Sequence, residues 1–371
     1  MSLLFQDLAL GQLRLENRII IAPMCEYSAV GGNAQDWHII HLGSLALSGA
    51  GLLILEATAV SPEGRISPHD LGLYSEDNER ALARVLDSVR RYSDMPIAIQ
   101  LSHAGRKGSS LAPWEGGAQI APDAPQGWKT EAPSAVPHAE GEDVPIALDA
   151  EGLARVRYDF VKAARRAVAL GLDGIELHMA HGYLLHQFLS PLSNQRKDDY
   201  GGSLENRMRF PLEVFEAVRE AVAAEIPVWV RVSASDWVPD GWDLDGTIAL
   251  SHALEQRGCA AIHVSSGGVS PLQEITLEPG YQVGFAERVK AEIGLPVIAV
   301  GLITEAAQAE EILQNGQADA IALARGMLYD PRWPWHAAAE LGAQVTAPKQ
   351  YWRCQPREFK SLFKDIKIGQ R

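Results

Sequence analysis

Gly174-Ile-Glu-Leu-His-Met-Ala-His-Gly-Tyr183 opens as a nearly unbroken apolar run and closes on two imidazoles and a phenol. A short continuous apolar run is the mark of a strand covered on both faces, as in a parallel sheet. The polar residues that follow it then stand at the strand's C-terminal mouth. His178 and His181 can donate hydrogen bonds to a carbonyl oxygen, and Tyr183 can supply a proton. Polarising a carbonyl while protonating the carbon beside it is most of what reduction of an activated C=C bond requires. The missing part is a hydride source, so the rest of the chain must provide a cofactor site.

Runs of the same kind recur along the chain, at 18–23, 51–60, 97–101, 228–232, 261–264, 297–300 and 320–324. With 174–177 they make eight. Helix-period segments lie between them. Leu153, Val156, Phe160, Ala164 and Val168 repeat at three- and four-residue steps, with Asp149 as N-cap and Gly171 as the stop. Residues 304–315 repeat the plan with Thr304 as cap, and residues 245–257, followed by Gly258, do so again. Eight strands alternating with helices predict an α/β fold, a (β/α)8 TIM barrel. A doubly wound open sheet would want a G-x-G-x-x-G turn after an early strand, where this chain has Pro23-Met-Cys-Glu-Tyr27. Residues 1–16 read as an N-terminal hairpin that plugs the barrel. Residues 102–148, rich in Pro, Gly and Trp, form a long insertion after strand 3, the kind of loop that usually carries function. The expected organisation is one domain over 1–371, with a C-terminal tail from about 345.

The totals narrow the class. The 371 residues, 47% hydrophobic and 22% charged, suit an ordinary globular protein. A formal net charge of −14 argues against nucleic-acid or anionic-membrane partners. Cys25, Cys259 and Cys354 are too few and too scattered for a disulfide framework or a zinc cluster. No apolar run approaches a membrane span of about 18 residues. The first residues lack the pattern of a signal peptide. A cytoplasmic protein without a metal is expected.

In a TIM barrel the active site is built at the C-terminal strand ends. Here those ends carry Ala22-Pro-Met-Cys25 with Tyr27, Glu56-Ala-Thr58, Gln100-Leu-Ser-His103, the His178–Tyr183 group, Arg231, Ser265-Ser-Gly-Gly268, Gly301 and Ala324-Arg-Gly326. Loops after strands 7 and 8 are the recurrent phosphate site of this fold. Gly301 allows backbone N–H groups to approach an anion, and Arg325 offers a guanidinium fork. Gln100 can pair with a heteroaromatic edge, and Arg231 can set positive charge beside an electron-rich ring. Together these suit a flavin mononucleotide.

Each residue also has a plainer reading. Arg231 could pair with Glu176 or Glu56, Gln100 could be structural, and Cys25 could be an inert small hydrophobe. His178 and His181 have the spacing of an H-x-x-H metal pair, but no carboxylate follows at ligand spacing. His38 and His41, also H-x-x-H, read as packing or surface residues. It is the convergence of these groups at strand ends that favours a site.

The blocks Pro23-Met-Cys25 with Tyr27, Glu56-Ala-Thr58, Gln100-Leu-Ser-His-Ala-Gly-Arg-Lys107, Glu176-Leu-His-Met-Ala-His-Gly-Tyr183, Asp199-Tyr-Gly-Gly-Ser-Leu-Glu-Asn-Arg207 and Arg231-Val-Ser-Ala-Ser235 resemble the Old Yellow Enzyme family. The resemblance covers nearly the whole chain. Cys25 after Pro-Met, and a second histidine at 181, resemble its bacterial thermophilic-like branch, which includes the xenobiotic reductases. It implies non-covalent FMN held by Ala22, Pro23, Met24, Cys25, Ala57, Gln100, Arg231, Gly301, Ala324 and Arg325. His178 and His181 would bind the substrate oxygen, Tyr183 would protonate, and Cys25 would tune the flavin. Tyr27 would contact substrate, and Lys107 would lie near the site. Tyr351, Trp352 and Arg353 resemble a tail that reaches a neighbouring subunit's site, which implies a homodimer or a dimer-based homotetramer. NADPH or NADH would be the reductant, and α,β-unsaturated carbonyl or nitro compounds the substrates. Ala324 stands where many members have Gly. The cysteine-rich iron–sulfur segment of longer relatives has no counterpart here. A barrel aldolase or isomerase is the rival, but none of the eight strand ends above carries a Schiff-base lysine; a flavin-binding sensor is a weaker one.

Overall fold

A computed structural model of the chain describes residues 2–367. These residues form twelve strands: β1 (Leu8–Leu10), β2 (Leu13–Leu15), β3 (Ile19–Ile21), β4 (Leu52–Ala59), β5 (Ile97–Ser102), β6 (Glu131–Ala132), β7 (Ile146–Ala147), β8 (Gly174–Met179), β9 (Val228–Ser233), β10 (Ile262–Ser265), β11 (Val297–Ala299) and β12 (Ala320–Leu323). Eight of them, β3, β4, β5 and β8 to β12, close into one parallel barrel in chain order. The eight apolar runs of the sequence supply those strands, and the strands are buried along their whole length. Burial on both faces is what removes the alternation of an exposed sheet.

Among the described residues ten helices surround the barrel: α1 (Asp36–Ala46), α2 (Glu76–Arg90), α3 (Ala150–Ala169), α4 (Leu184–Leu189), α5 (Leu204–Ala221), α6 (Leu244–Glu255), α7 (Val283–Glu292), α8 (Ala306–Gln314), α9 (Arg325–Tyr329) and α10 (Trp333–Glu340). The Asp149 carboxylate caps α3 by accepting from the Gly152 N–H at 2.8 Å, as its spacing predicts. Asp243 caps α6 in the same way, so that helix starts just before the 245 boundary. Thr304 does not cap α8. The N-cap position falls on Glu305, without a side-chain bond, because the Thr304 N–H instead meets Gln308 Oε1 at 3.1 Å and its carbonyl accepts from Trp333.

β1 and β2 pair as an antiparallel hairpin. At its Gly11 turn (φ 57°) a Cβ would lie 3.3 Å from Pro227 and 3.6 Å from Ala260, the residues just before β9 and β10. The hairpin tip therefore sits at the N-terminal end of the barrel, as the plug reading expects. The long insertion contributes the β6–β7 pair and mostly irregular chain. No helix among the described residues is long and apolar enough to cross a membrane.

Residues 345–367 pack on their own barrel. Trp335, Ala338, Val345, Ala347, Leu362 and Phe363 form a small core apart from the main one, and Trp352 packs against it. Thr346 Oγ1 donates to Glu16 at 2.7 Å, beside the plug. Residues 368–371 of the expected tail lie outside the described residues.

Candidate active site

Barrel register sorts the inward-facing side chains into layers. Gln100, Glu176 and Trp229 lie across from one another, and one step up lie His178, Arg231 and His263. Glu176 is the hub of the lower layer. Its carboxylate accepts from Gln100 Nε2 (2.7 Å) and Trp229 Nε1 (2.7 Å), and His263 Nδ1 stands 2.8 Å away. Burial pushes the Glu176 carboxyl up, but His263 and Arg231 outweigh it and hold the group below its ordinary value.

Glu176 is therefore saturated without Arg231. Among the described residues the Arg231 side chain makes no hydrogen bond and no ion pair, and its buried Nε has no partner at all, although the residue is only 7% exposed. Native proteins rarely bury a guanidinium in this state. The plainer reading, a pair with Glu176 or Glu56, does not hold. A missing anionic or electron-rich group at the barrel mouth fits it instead. At the far side Gly301 has φ 120°, and a Cβ there would fall 2.5 Å from Gln282 Nε2 and 3.1 Å from Tyr281. Gln282 and Tyr281 therefore leave room only for glycine at the end of β11. Arg325, at the end of β12, is exposed and has no partner among the described residues. Ala57 lies opposite Gln100 at a register shift in β4, and the Ala22 N–H donates to Leu323 O across the β12–β3 seam. The unpartnered Arg231 and Arg325 and the polar strand ends thus fit a flavin mononucleotide.

At the same barrel mouth the β8 turn presents its side chains. His178 Nδ1 accepts from the Ala180 N–H at 3.2 Å. A nitrogen that accepts carries no hydrogen, so the neutral ring holds its proton on Nε2. Burial, then Arg231, drives both His178 and His181 well below the ordinary imidazole value, so both are neutral. Their rings meet edge to face at 5.1 Å, and His178 meets Tyr183 likewise at 4.9 Å. The expected group is thus brought together. His181 differs from His178 in one respect: its Nε2 lies 2.7 Å from Ser265 Oγ. Burial pushes the Tyr183 phenol well up, so it is protonated. Burial, then Asp70 and Glu56, likewise keeps Cys25 a thiol. Tyr27 holds a left-handed φ of 47° and packs edge to face on Trp114, whose ring centroid is 5.5 Å away.

Lys107 is at the site, but its ammonium serves the loops. Nζ donates to His181 O (2.8 Å) and Gly268 O (2.9 Å), and lies 5.1 Å from the Tyr183 ring centroid. Tyr351, Trp352 and Arg353 are not at the mouth of their own barrel. They form a short 3-10 turn by the small C-terminal core, where Trp352 Nε1 donates to Ala347 O at 3.1 Å and Arg353 is exposed. His38 and His41 are packing residues of α1, set 3.3 Å from Glu56 and Glu26. Among the described residues no group of three or more His, Cys, Asp or Glu side chains could hold a metal ion.

Sequence reasoning missed Trp114, the Ser265 contact to His181 and the buried Asp70. The first and last lie in loops with no motif. Ser265 was visible as a strand end but carried no sign of its partner.

The sequence profile of the NADH:flavin oxidoreductase / NADH oxidase family matches residues 3–344. An NADPH dehydrogenase of Geobacillus thermodenitrificans (strain NG80-2) is 44% identical over 354 residues, 95% of this chain and 98% of the relative. One from Bacillus licheniformis is 44% identical over 352 residues, 94% and 98% of the two chains. Among solved structures, morphinone reductase superposes with a TM-score of 0.77 at 29% identity, covering 99% of both chains. A 2-naphthoyl-CoA reductase complex shares the fold (TM-score 0.81, 23% identity), with 92% of this chain spanning 52% of that one. The protein is an oxidoreductase, with FMN as cofactor and a nicotinamide as reductant. With a barrel of this topology and a family match over more than nine-tenths of its length, the chain belongs to the NADH:flavin oxidoreductase / NADH oxidase family, the Old Yellow Enzymes.

Proposed function

We propose that the protein is an ene-reductase, which adds hydrogen across the activated C=C bond of α,β-unsaturated carbonyl or nitro compounds. The observation that carries this reading is the pairing of a neutral His178, with Nε2–H unengaged, and a protonated Tyr183 on one strand mouth beside the unpartnered Arg231. FMN would be held by the strand-end residues from Ala22 to Arg325 and would supply the hydride-transfer chemistry between NAD(P)H and the substrate, in the two half-reactions of a ping-pong cycle.

The chain's own residues do the rest. His178 Nε2–H donates to the substrate's carbonyl or nitro oxygen, and His181 joins it when its Nε2 leaves Ser265. Drawing charge onto that oxygen makes the β-carbon electrophilic, and fixed donors act most strongly where water is excluded. Tyr183 delivers its proton to the α-carbon. Cys25, as a neutral thiol, adjusts the cofactor's environment without forming a covalent bond. Tyr27 and Trp114 form a wall against the substrate. The three cysteines are free thiols, which suits a cytoplasmic protein.

Tyr351–Arg353 would complete a neighbouring subunit's pocket in a dimer or dimer-based tetramer, a reading supported by their distance from their own barrel mouth. The test is direct. The purified protein should be yellow, bleach anaerobically with NADPH and regain colour on adding cyclohexenone. A reduced protein that ignores cyclohexenone and nitroalkenes alike would contradict the proposal.

A further inference from the structure

The turn between β8 and Tyr183 is held by a buried pair to which the scheme above gives no part. His186 and Asp236 have fully buried side chains, with His186 Nε2 2.9 Å from Asp236 Oδ1. His186 Nδ1 accepts from the Gly182 N–H at 2.8 Å. The accepting nitrogen carries no hydrogen, so the ring proton sits on Nε2, the nitrogen 2.9 Å from the carboxylate, in ion-pair contact rather than in line for a hydrogen bond. Asp236 thereby fixes the tautomer that Gly182 requires. Its other oxygen accepts from Ser190 Oγ (2.6 Å) and from the Trp242 N–H (2.7 Å), which locks the carboxylate itself.

The grip on the turn is two-sided. Gln187, next to His186 on α4, donates from Nε2 to Gly182 O at 2.7 Å. Both peptides flanking Gly182 are thus fixed by consecutive side chains, and Tyr183 follows directly. Gly182 has no room to move, since at φ 74° a Cβ would meet Gly268 O at 2.1 Å. His181 is held in the left-handed region (φ 58°), a conformation that persists only where neighbours over-determine it. Burying a carboxylate and an imidazole is a poor way to stabilise a fold, because well-packed apolar side chains often do as well or better. What the pair provides is a fixed geometry.

We propose that Asp236, acting through His186, is a positioning residue for the proton donor Tyr183. The carboxylate sets the imidazole tautomer, the imidazole holds the Gly182 N–H, and that peptide aims the phenol at the substrate's α-carbon. The inference rests on Tyr183 being the donor, as proposed above. Small misplacements of a reacting group are enough to slow a reaction about a hundredfold.

Asp236→Asn keeps the volume but puts an NH2 where only acceptors fit. Turned toward His186, it forces the imidazole proton onto Nδ1, against the Gly182 N–H. Stopped-flow measurements on the FMN-loaded enzyme should then show flavin reduction by NADPH unchanged within about twofold. Reoxidation by cyclohexenone should fall about tenfold or more, with a larger solvent isotope effect. In a Tyr183→Phe background the same substitution should add almost nothing, because the group it positions is gone. His186→Asn, which returns an acceptor near the Nδ1 position, should recover part of the rate that His186→Leu loses, and this pair serves if Asp236→Asn does not fold. An additive loss in the Tyr183→Phe background, equal losses in both half-reactions, or no loss in reoxidation would overturn the proposal. A wild-type enzyme that cyclohexenone cannot reoxidise would overturn the underlying reading, and this one with it.

Discussion

Replacing Arg231 by leucine should separate a cofactor-binding residue from a structural one. Arg231 is 7% exposed, its side chain lacks any hydrogen bond among the described residues, and it faces a Glu176 carboxylate already engaged by Gln100, Trp229 and His263. A buried ion without a partner carries an effective desolvation penalty on the order of several kcal/mol, which an apolar side chain of similar size does not. Some attraction to Glu176 is lost with it, so the flavin-free variant should gain about 0–3 kcal/mol. FMN binding should move the other way. Each charge-assisted hydrogen bond is worth about 1.5–3 kcal/mol, and about 1.4 kcal/mol is tenfold in affinity. One lost contact therefore weakens FMN about 10- to 150-fold. Urea denaturation of the flavin-stripped protein measures the first effect, and quenching of FMN fluorescence on titration measures the second. A flavin-free variant destabilised by more than about 1 kcal/mol, a loss typical of a removed hydrogen bond, together with unchanged FMN affinity, would show that Arg231 is a structural partner after all.

Truncating the two histidines should not cost the same. His178→Ala should weaken binding of a phenol that mimics the enolate by about 1–3 kcal/mol, and His181→Ala by less, because Ser265 already occupies His181 Nε2; fluorescence or difference spectra would read both, and equal losses would refute the asymmetry. Asp70 should make stability pH-dependent. Burial raises its carboxyl to about 7, from about 3.9 in the unfolded chain. The folded protein thus keeps a proton that the unfolded chain releases, and this stability, full below about pH 4, is lost as pH rises through about 7. Melting temperatures at pH 5 and pH 8 should differ more for wild type than for Asp70→Asn, and equal differences would exclude the effect. Removing residues 348–371 strips Leu362 and Phe363 from the small C-terminal core, about 1.5–3 kcal/mol each on the scale of buried side chains. The truncated protein should unfold at lower urea and show an altered KM for cyclohexenone. A stability loss with unchanged KM would make the tail a packing element of its own barrel only.

The barrel was legible because parallel strands buried on both faces leave continuous apolar runs, and all eight runs became barrel strands. Where side chains compete locally, the sequence misled: Thr304 has the composition of a cap, but Gln308 takes its N–H and Trp333 its carbonyl. The site was legible through one geometric rule, that catalytic residues stand at C-terminal strand ends. The rule placed Arg231, His178 and Tyr183 at one mouth, but it could not say that Arg231 would lack a partner there. That depends on Glu176 being filled by Gln100, Trp229 and His263, from strands 53 to 87 residues away along the chain. Long-range contacts of this kind also hid the roles of Lys107, Ser265 and Asp236. None belongs to a local pattern, and each acts by reaching another segment's backbone or ring.

The central claim is that Tyr183 protonates carbon while the nicotinamide half of the cycle proceeds without it. Rapid-mixing measurements on Tyr183→Phe isolate the two halves. Reduction of the bound flavin by NADPH should stay within about twofold of wild type, while reoxidation by cyclohexenone falls about 10²- to 10⁴-fold, the range of a positioned general acid. Equal loss in both halves, or none in reoxidation, would contradict it.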